Sequence, residues 1–242
     1  MAPQRFAERK SKILAGLNAP EDKYTDLSPK GSVDAGIRDL ISEINDSLDY
    51  VTTSSCAGRI AVYLEGRKGA KGGGKWLYTS HDPMEVPEVP GELLQMFGMS
   101  EGAVQCATPS DTEKARLVHF KFEPMILHIL TSSLEPAQRI MSAAMSAGFR
   151  ESGINSILPN TSPQQSTPAT PMVGVRSSGL AFDCIVGFSD TAIGDGDDSA
   201  GDTIVKPMVT EDYLRTLITV ANQRFRTNVE RTGRFRKALL GG

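Results

Sequence analysis

The sequence predicts an α+β fold, a mixed sheet with flanking helices, rather than a doubly wound parallel sheet. Segments with helical periodicity come first among the 242 residues, and strand-like segments with interspersed helices follow without regular strand-helix-strand repetition. Because no internal repeat and no clean boundary is visible, we predict a single domain over residues 1–242. Loop insertions are expected at about 83–111, 159–171 and 190–202, where loop-forming residues accumulate.

Four longer helices are predicted. The opening helix has apolar residues at helical spacing among basic ones, namely Phe6, Ile13, Leu14 and Leu17. The second runs from about Val33 to Leu48 with Ser32 as its N-cap. A third stripe starts at Leu134 and ends before Gly148, and the closing helix starts near Thr210 and ends in a basic tail.

The strands are predicted from β-branched and alternating residues. The segment Tyr50 to Leu64 gives two strands separated by a break at Ala57-Gly58, and a glycine-rich loop then leads to a strand from Lys75 to Ser80. The other predicted strands are 115–122 and 125–130, separated at Glu123-Pro124, and 154–158, 173–176 and 180–186.

The composition is that of an ordinary soluble globular chain, with 39% hydrophobic and 23% charged residues. Three cysteines lie far apart, so neither a disulfide framework nor a structural metal site is expected. No secretory signal and no run of apolar residues long enough for a membrane span is visible. A reducing, cytoplasmic location without membrane contact is the expectation.

Polar residues concentrate in short segments at element boundaries, where ligand-binding groups usually lie. In the segment SPKGSVD, Lys30 and Ser32 precede a helix, so the lysine and free backbone N–H groups suit a phosphate or carboxylate. Asp34 is either a first-turn acid that complements the helix dipole or a proton acceptor. The sequence leaves both interpretations open.

The segment TTSSCAGR, residues 52–59, contains four hydroxyl groups and a thiol before Gly58 and Arg59. These groups bind either a ligand or the neighbouring backbone. Cys56 with His81 as its base would make a cysteine-dependent hydrolase, but no local feature indicates an activated thiol.

The segment GGGKW places Lys75 and the only tryptophan, Trp76, after a loop that carries Lys71. This suits a sugar-phosphate backbone or a base stacked on the indole, and the alternative is a flexible hairpin with a core tryptophan. Glu123 before a proline is placed to reach a cleft, whereas His128 in an apolar strand is more typical of a hydrogen-bonded core histidine.

The order of these segments resembles the tRNA wybutosine-synthesizing protein 3 family over about residues 5–225. The motifs that carry the resemblance are SPKGSVD, VTTSSCAGRI, GGGKWLYTSHDP, KFEPMILH and AGFRESGI. The resemblance implies an enzyme that transfers a methyl group from S-adenosylmethionine to N-4 of the tricyclic wybutosine precursor beside the anticodon of phenylalanine tRNA. The GxGxG turn of Rossmann-type methyltransferases is missing, so the resemblance also implies a differently built cofactor site.

The resemblance implies roles for the motif residues. Ser54, Ser55, Gly58 and Arg59 are expected to bind the cofactor. The expected tRNA contacts are Lys30, Ser32, Lys71, Lys75 and Trp76. The candidate bases are, in order, Asp34, Glu123 and His81. The alternative is a tRNA-binding or scaffold protein of the same pathway without catalysis.

The net charge of −3 does not exclude RNA, because the charges are segregated along the chain. Residues 56–81 carry five basic and one acidic side chain, and residues 213–242 carry seven and one. Acidic segments at 82–130 and 181–212 offset them in the sum. We therefore expect RNA binding that is local and salt-dependent.

Overall fold

The computed structural model describes residues 2–17, 33–66, 73–100, 102–105, 115–155, 170–189 and 204–241. The helices are α1 (Ala2–Leu17), a 3-10 helix (Ala35–Ile37), α2 (Arg38–Asp46), α3 (Glu92–Met96), α4 (Leu134–Ala147) and α5 (Glu211–Leu240). The strands are β1 (Tyr50–Leu64), β2 (Lys75–Ser80), β3 (Arg116–Thr131), β4 (Gly153–Asn155), β5 (Met172–Val175), β6 (Phe182–Ser189) and β7 (Lys206–Pro207).

The predicted α+β class is confirmed. The strands pair in the order β2, β1, β3, β5, β4, while β6 pairs with β3 and β7 with β6. Each pairing with a described register is antiparallel, so the sheet is antiparallel there instead of mixed. Antiparallel strands need no crossover helix, which explains why helices collect between groups of strands in the sequence.

The chain forms two compact units. The first contains Met1–Gly58, Pro124–Gly179 and Thr227–Gly242, and the second contains Arg59–Glu123 and Leu180–Arg226. The elements β1, β3 and α5 each contribute residues to both units. The single domain over the whole chain stays a prediction.

The core of the first unit is formed by one face of the helices packed on the strands. From α2 and its 3-10 lead-in come Ile37, Leu40, Ile41 and Ile44, the stripe that the sequence predicts. Phe149 and Phe235 pack edge to face with their ring centroids 6.0 Å apart. Leu48, the last residue of the predicted stripe, is 90% exposed because α2 ends at Asp46.

The second unit has an aromatic core. Alternate residues of β1, Ile60, Val62 and Leu64, are buried in it. Phe97, Phe120 and Phe122 are fully buried, and Phe120 stacks with Phe182 at 6.0 Å. Residues 83–100 of the predicted insertion belong to this core, since Met84, Leu93 and Phe97 pack there.

Two predicted strand breaks are wrong. β1 is continuous through Ala57-Gly58, because Gly58 takes a φ of 108°, a conformation that glycine tolerates within a strand. β3 is continuous through Glu123-Pro124, since the fixed φ of proline is compatible with an extended chain and only its missing N–H disturbs the ladder. The closing helix also continues through the basic tail to Leu240.

Candidate functional site

The segment around Ala57 is held by side chains of the first unit. Asp34 is buried, and its Oδ2 accepts a hydrogen bond of 2.7 Å from the backbone N–H of Ala57. Asn228 of α5 donates from Nδ2 to the carbonyl of Ala57 at 2.8 Å and accepts at Oδ1 from the N–H of Met125, also at 2.8 Å. One side chain thus bridges the backbones of β1 and β3, which fixes the residues around Gly58.

Asp34 therefore makes an anchoring contact, while its expected role as a proton acceptor stays a prediction. It precedes the 3-10 helix but makes no side-chain capping bond there, so the dipole interpretation is not supported by a cap. Its carboxylate instead joins the SPKGSVD motif to the TTSSCAGR motif within the first unit. The sequence gives no sign of this contact, which spans 23 positions.

His128 meets the hydroxyl-rich segment. Its Nδ1 lies 2.8 Å from the hydroxyl oxygen of Ser54, and Thr53 donates to the His128 carbonyl at 3.2 Å. Gly174 lies opposite His128 in the β3–β5 ladder, and a Cβ built there would be 3.5 Å from the imidazole. His128 is hydrogen-bonded as the sequence predicts, but it is half-buried instead of in the core, and its contact with Ser54 adds it to the candidate site.

Three predicted site residues meet in the second unit. Arg59 donates from Nε to Oε2 of Glu123 at 2.6 Å, and its Cζ lies 4.6 Å from the centroid of the Trp76 ring. Tyr63 contacts the same indole with ring centroids 4.8 Å apart. Trp76 is 39% exposed, so it is not buried in the core, although it contacts Arg59 and Tyr63.

Gly74 explains part of the GGGKW motif. A Cβ built at this position would lie 1.6 Å from the Tyr63 hydroxyl oxygen, so any side chain would force the tyrosine ring to move. The glycine therefore permits the contact between Tyr63 and Trp76. Sequence reasoning missed Tyr63, and the only signal was its place in a strand opposite the motif.

The other predicted residues are placed as follows. Ser55 and His81 are half-buried, Gly58 is buried, and Lys75 is exposed. His81 makes contacts within the structure. Lys30, Ser32 and Lys71 lie outside the described residues. The predicted residues are divided between the units, with Asp34, Ser54, Ser55 and Gly58 in the first and Arg59, Lys75, Trp76, His81 and Glu123 in the second.

Much of the basic tail is used inside the first unit. Arg231 donates to the carbonyl of Gly148 and to the hydroxyl of Ser177, and Arg234 donates to the carbonyl of Ala147. Arg236 forms a bidentate pair with Glu43, whose pKa is lowered below its usual range by that hydrogen bond. These arginines stabilise the fold, so they contribute less to an RNA surface than the sequence suggests.

A second charged network lies in the other unit, and the sequence did not predict it. His119 bonds Asp183 at 2.7 Å through Nδ1 and Glu65 at 3.0 Å through Nε2. Lys121 pairs with Asp183 at 2.9 Å. Burial opposes the charge on Asp183, but hydrogen bonds from Lys121 and His119 outweigh it and lower the pKa of the carboxyl.

Similar structures define the class of protein. A solved structure of the protein PH1069 from Pyrococcus horikoshii matches over 99% of this chain and 98% of that chain, with a TM-score of 0.65 and 24% identity. A hypothetical protein from Aeropyrum pernix matches over 85% of this chain with a TM-score of 0.50 and 21% identity. The chain therefore has the α+β fold of these proteins, which is not a Rossmann fold. No helix in the described part of the chain has the length and apolar character of a membrane span.

Sequence comparison identifies the family. The profile of the family Methyltransferase TYW3 matches residues 8–241. The tRNA wybutosine-synthesizing protein 3 of Saccharomyces cerevisiae is 34% identical over 96% of this chain and 80% of its own length. The protein of the same name in Schizosaccharomyces pombe is 44% identical over 62% of this chain and 59% of its own length. The chain belongs to the TYW3 methyltransferase family.

Proposed function

We propose that this chain uses S-adenosylmethionine to methylate N-4 of the tricyclic wybutosine precursor beside the anticodon of phenylalanine tRNA. Membership of the TYW3 methyltransferase family over residues 8–241 carries this proposal. The names of the two yeast relatives add tRNA and the wybutosine pathway. The proposed cofactor-binding and tRNA-binding residues and the candidate bases come from the motifs of the sequence.

Ser54, Ser55, Gly58 and Arg59 are proposed to hold the methyl donor. S-adenosylmethionine supplies an electrophilic methyl group on a sulfonium. Its ribose hydroxyls, ammonium and carboxylate need partners of the kinds this segment offers, which are hydroxyls, backbone groups and a guanidinium. The Ser54 hydroxyl fits best, because it is exposed and its orientation is set by the 2.8 Å contact to His128.

The nitrogen that gains the methyl group must also release a proton. We propose Asp34, Glu123 and His81 as candidates to accept it, since a general base adds to the rate that positioning supplies. Asp34 and Glu123 each accept a hydrogen bond that holds the carboxylate in place. An imidazole changes its protonation near neutral pH, so His81 is suited to the role chemically.

The tRNA is proposed to contact Lys30, Ser32, Lys71, Lys75 and Trp76. Lysines near phosphates give sequence-independent affinity that weakens with added salt. Such contacts position the RNA, whereas a stacked base adds affinity that depends much less on salt. The ligand is expected to be phenylalanine tRNA carrying the precursor.

The test is transfer of labelled methyl from S-adenosylmethionine to phenylalanine tRNA that carries the precursor, followed by mass spectrometry of the nucleosides. We expect one labelled methyl on the tricyclic base and none on tRNA lacking the precursor. No incorporation into authenticated substrate would refute the proposal. Variants D34N, E123Q and H81Q, compared across pH, identify the proton acceptor by loss of the corresponding limb of the pH-rate profile.

A further inference from the structure

One face of the sheet in the second unit carries an aromatic and cationic row. Ile60, Val62 and Leu64 of β1 point into the core, so Arg59 and Tyr63 lie on the opposite face. The β1–β2 register shifts between Val62 and Tyr63, where Tyr78 pairs with Val62 but Trp76 pairs with Tyr63. This bulge brings the indole onto the same face as Arg59 and Tyr63.

The row is held together by contacts from three neighbouring strands. β2 supplies Trp76, β1 supplies Tyr63 and Arg59, and β3 supplies Glu123. Tyr63 contacts the indole at 4.8 Å, and the Arg59 guanidinium lies over it at 4.6 Å. The Glu123 carboxylate accepts a hydrogen bond from Nε of Arg59. This contact uses one N–H donor of the guanidinium and leaves the plane of the group for stacking.

We propose that Tyr63, Trp76 and Arg59 form a stacking platform for an unpaired base of the tRNA, with Glu123 as the residue that positions Arg59. An arginine plane fixed on an indole offers its second face to a base, and single-stranded RNA is recognised by such stacking. The proposal rests on the proposed function, since it assumes an RNA substrate. It assigns Glu123 an orienting role in addition to its candidacy as a base.

Charge around the platform favours RNA as the occupant. Lys75 is exposed and directly precedes Trp76. The sequence between β1 and β2 also contains Arg67, Lys68 and Lys71, which lie outside the described residues. Cations beside a stacking surface are the combination that single-stranded nucleic acids bind.

The chain provides its own reporter, because Trp76 is its only tryptophan. The probe is the anticodon stem-loop of phenylalanine tRNA, and the control probe is a duplex of the same composition without unpaired bases. We expect the stem-loop to quench Trp76 fluorescence as it binds, and the duplex to bind more weakly without quenching. This readout does not depend on methyl transfer.

Variants separate the stacking plane from the charge. Affinities of the variants are measured from the fluorescence anisotropy of a labelled stem-loop, because W76L lacks the tryptophan reporter. W76L and R59K are both expected to weaken stem-loop binding about tenfold, because each removes a stacking partner. R59K keeps the charge, so the dependence of affinity on salt should not change. E123A should lose part of the affinity and E123Q should regain it, since an amide oxygen still accepts the Nε hydrogen bond. K206Q is the matched control, because it removes a cation over another ring, 5.7 Å from Phe188, in the same unit.

Each outcome is decisive. Stem-loop binding without any change in Trp76 emission, or unaltered affinity of W76L, overturns the platform while the proposed function stands. Quenching by S-adenosylmethionine, combined with unaltered stem-loop affinity of W76L, assigns the platform to the adenine of the donor and also overturns it. Failure of the native protein to bind the stem-loop contradicts both the platform and the proposed tRNA substrate.

Discussion

Replacing Asn228 by alanine is expected to destabilise the protein strongly. The side chain is 2% exposed, and its amide satisfies the carbonyl of Ala57 and the N–H of Met125. Removing one partner of a buried hydrogen bond costs about 1–3 kcal/mol, so losing two gives a decrease of about 2–6 kcal/mol in the free energy of unfolding. The measurement is urea unfolding followed by circular dichroism, with the slope m fitted for each variant.

Two further variants of the same helix sharpen the test. V229A changes a neighbouring side chain that is 66% exposed, and its effect should stay within about 0.5 kcal/mol. N228D keeps the acceptor for Met125 but turns a carboxylate oxygen toward the Ala57 carbonyl. Its destabilisation should therefore decrease at acidic pH, where a protonated carboxyl can donate. If N228A lowers the free energy of unfolding no more than V229A does, the hydrogen bonds of Asn228 to β1 and β3 do not stabilise the protein.

The other predictions concern a glycine with a positive φ, an acid-sensitive contact and the basic tail. G58A should lower the free energy of unfolding by about 1–3 kcal/mol, because the φ of 108° disfavours a Cβ. G16A should be neutral or stabilising, because nothing lies within 4 Å of a Cβ built on this residue of α1. Equal melting temperatures for the two variants would contradict this. The hydrogen bond from the N–H of Gly91 lowers the pKa of Glu211 below its ordinary 4.5, against burial and with the help of Arg215, so the stabilisation is present above that value and is lost as pH falls through the folded pKa. The difference in melting temperature between the native protein and E211Q should therefore be present at neutral pH and shrink as the pH falls below 4.5, and a difference independent of pH would refute the assignment. R231M should lower the free energy of unfolding by about 1–3 kcal/mol and leave the salt dependence of RNA binding unchanged. R226Q, at an exposed position, should instead reduce that salt dependence and leave stability unchanged. A weaker salt dependence for R231M would contradict the structural role of Arg231.

The sequence predicts the elements well where local patterns decide them. The strand Lys75 to Ser80 has the expected position, and α4 ends at Ala147, directly before Gly148, which takes a φ of 99°. The two false breaks have one cause. Glycine and proline are interpreted as interruptions in the sequence, but a strand tolerates one such residue when its neighbours stay in the ladder.

The contacts of the candidate site could not be predicted in the same way. Asn228 lies 171 positions from Ala57, and an asparagine in a basic helix carries no sign of burial. The bulge that turns Trp76 toward Arg59 depends on the register between β1 and β2, which no local pattern fixes. Arg59 and Glu123, 64 positions apart, were both singled out by their motifs, but their pairing needed the topology.

The same contacts change what the charge pattern means. Residues 213–242 carry seven basic side chains and one acidic, yet Arg231, Arg234 and Arg236 donate hydrogen bonds within the first unit. An arginine that is already paired with a carboxylate, or whose guanidinium is held by backbone carbonyls, is less free to contact a phosphate, so fewer counterions are released when RNA binds. The basic segment 56–81 is smaller but holds Lys75 exposed beside Trp76. A stacked base adds affinity that salt does not screen. The salt dependence of RNA binding is therefore expected to follow the residues around β2 more than the basic tail.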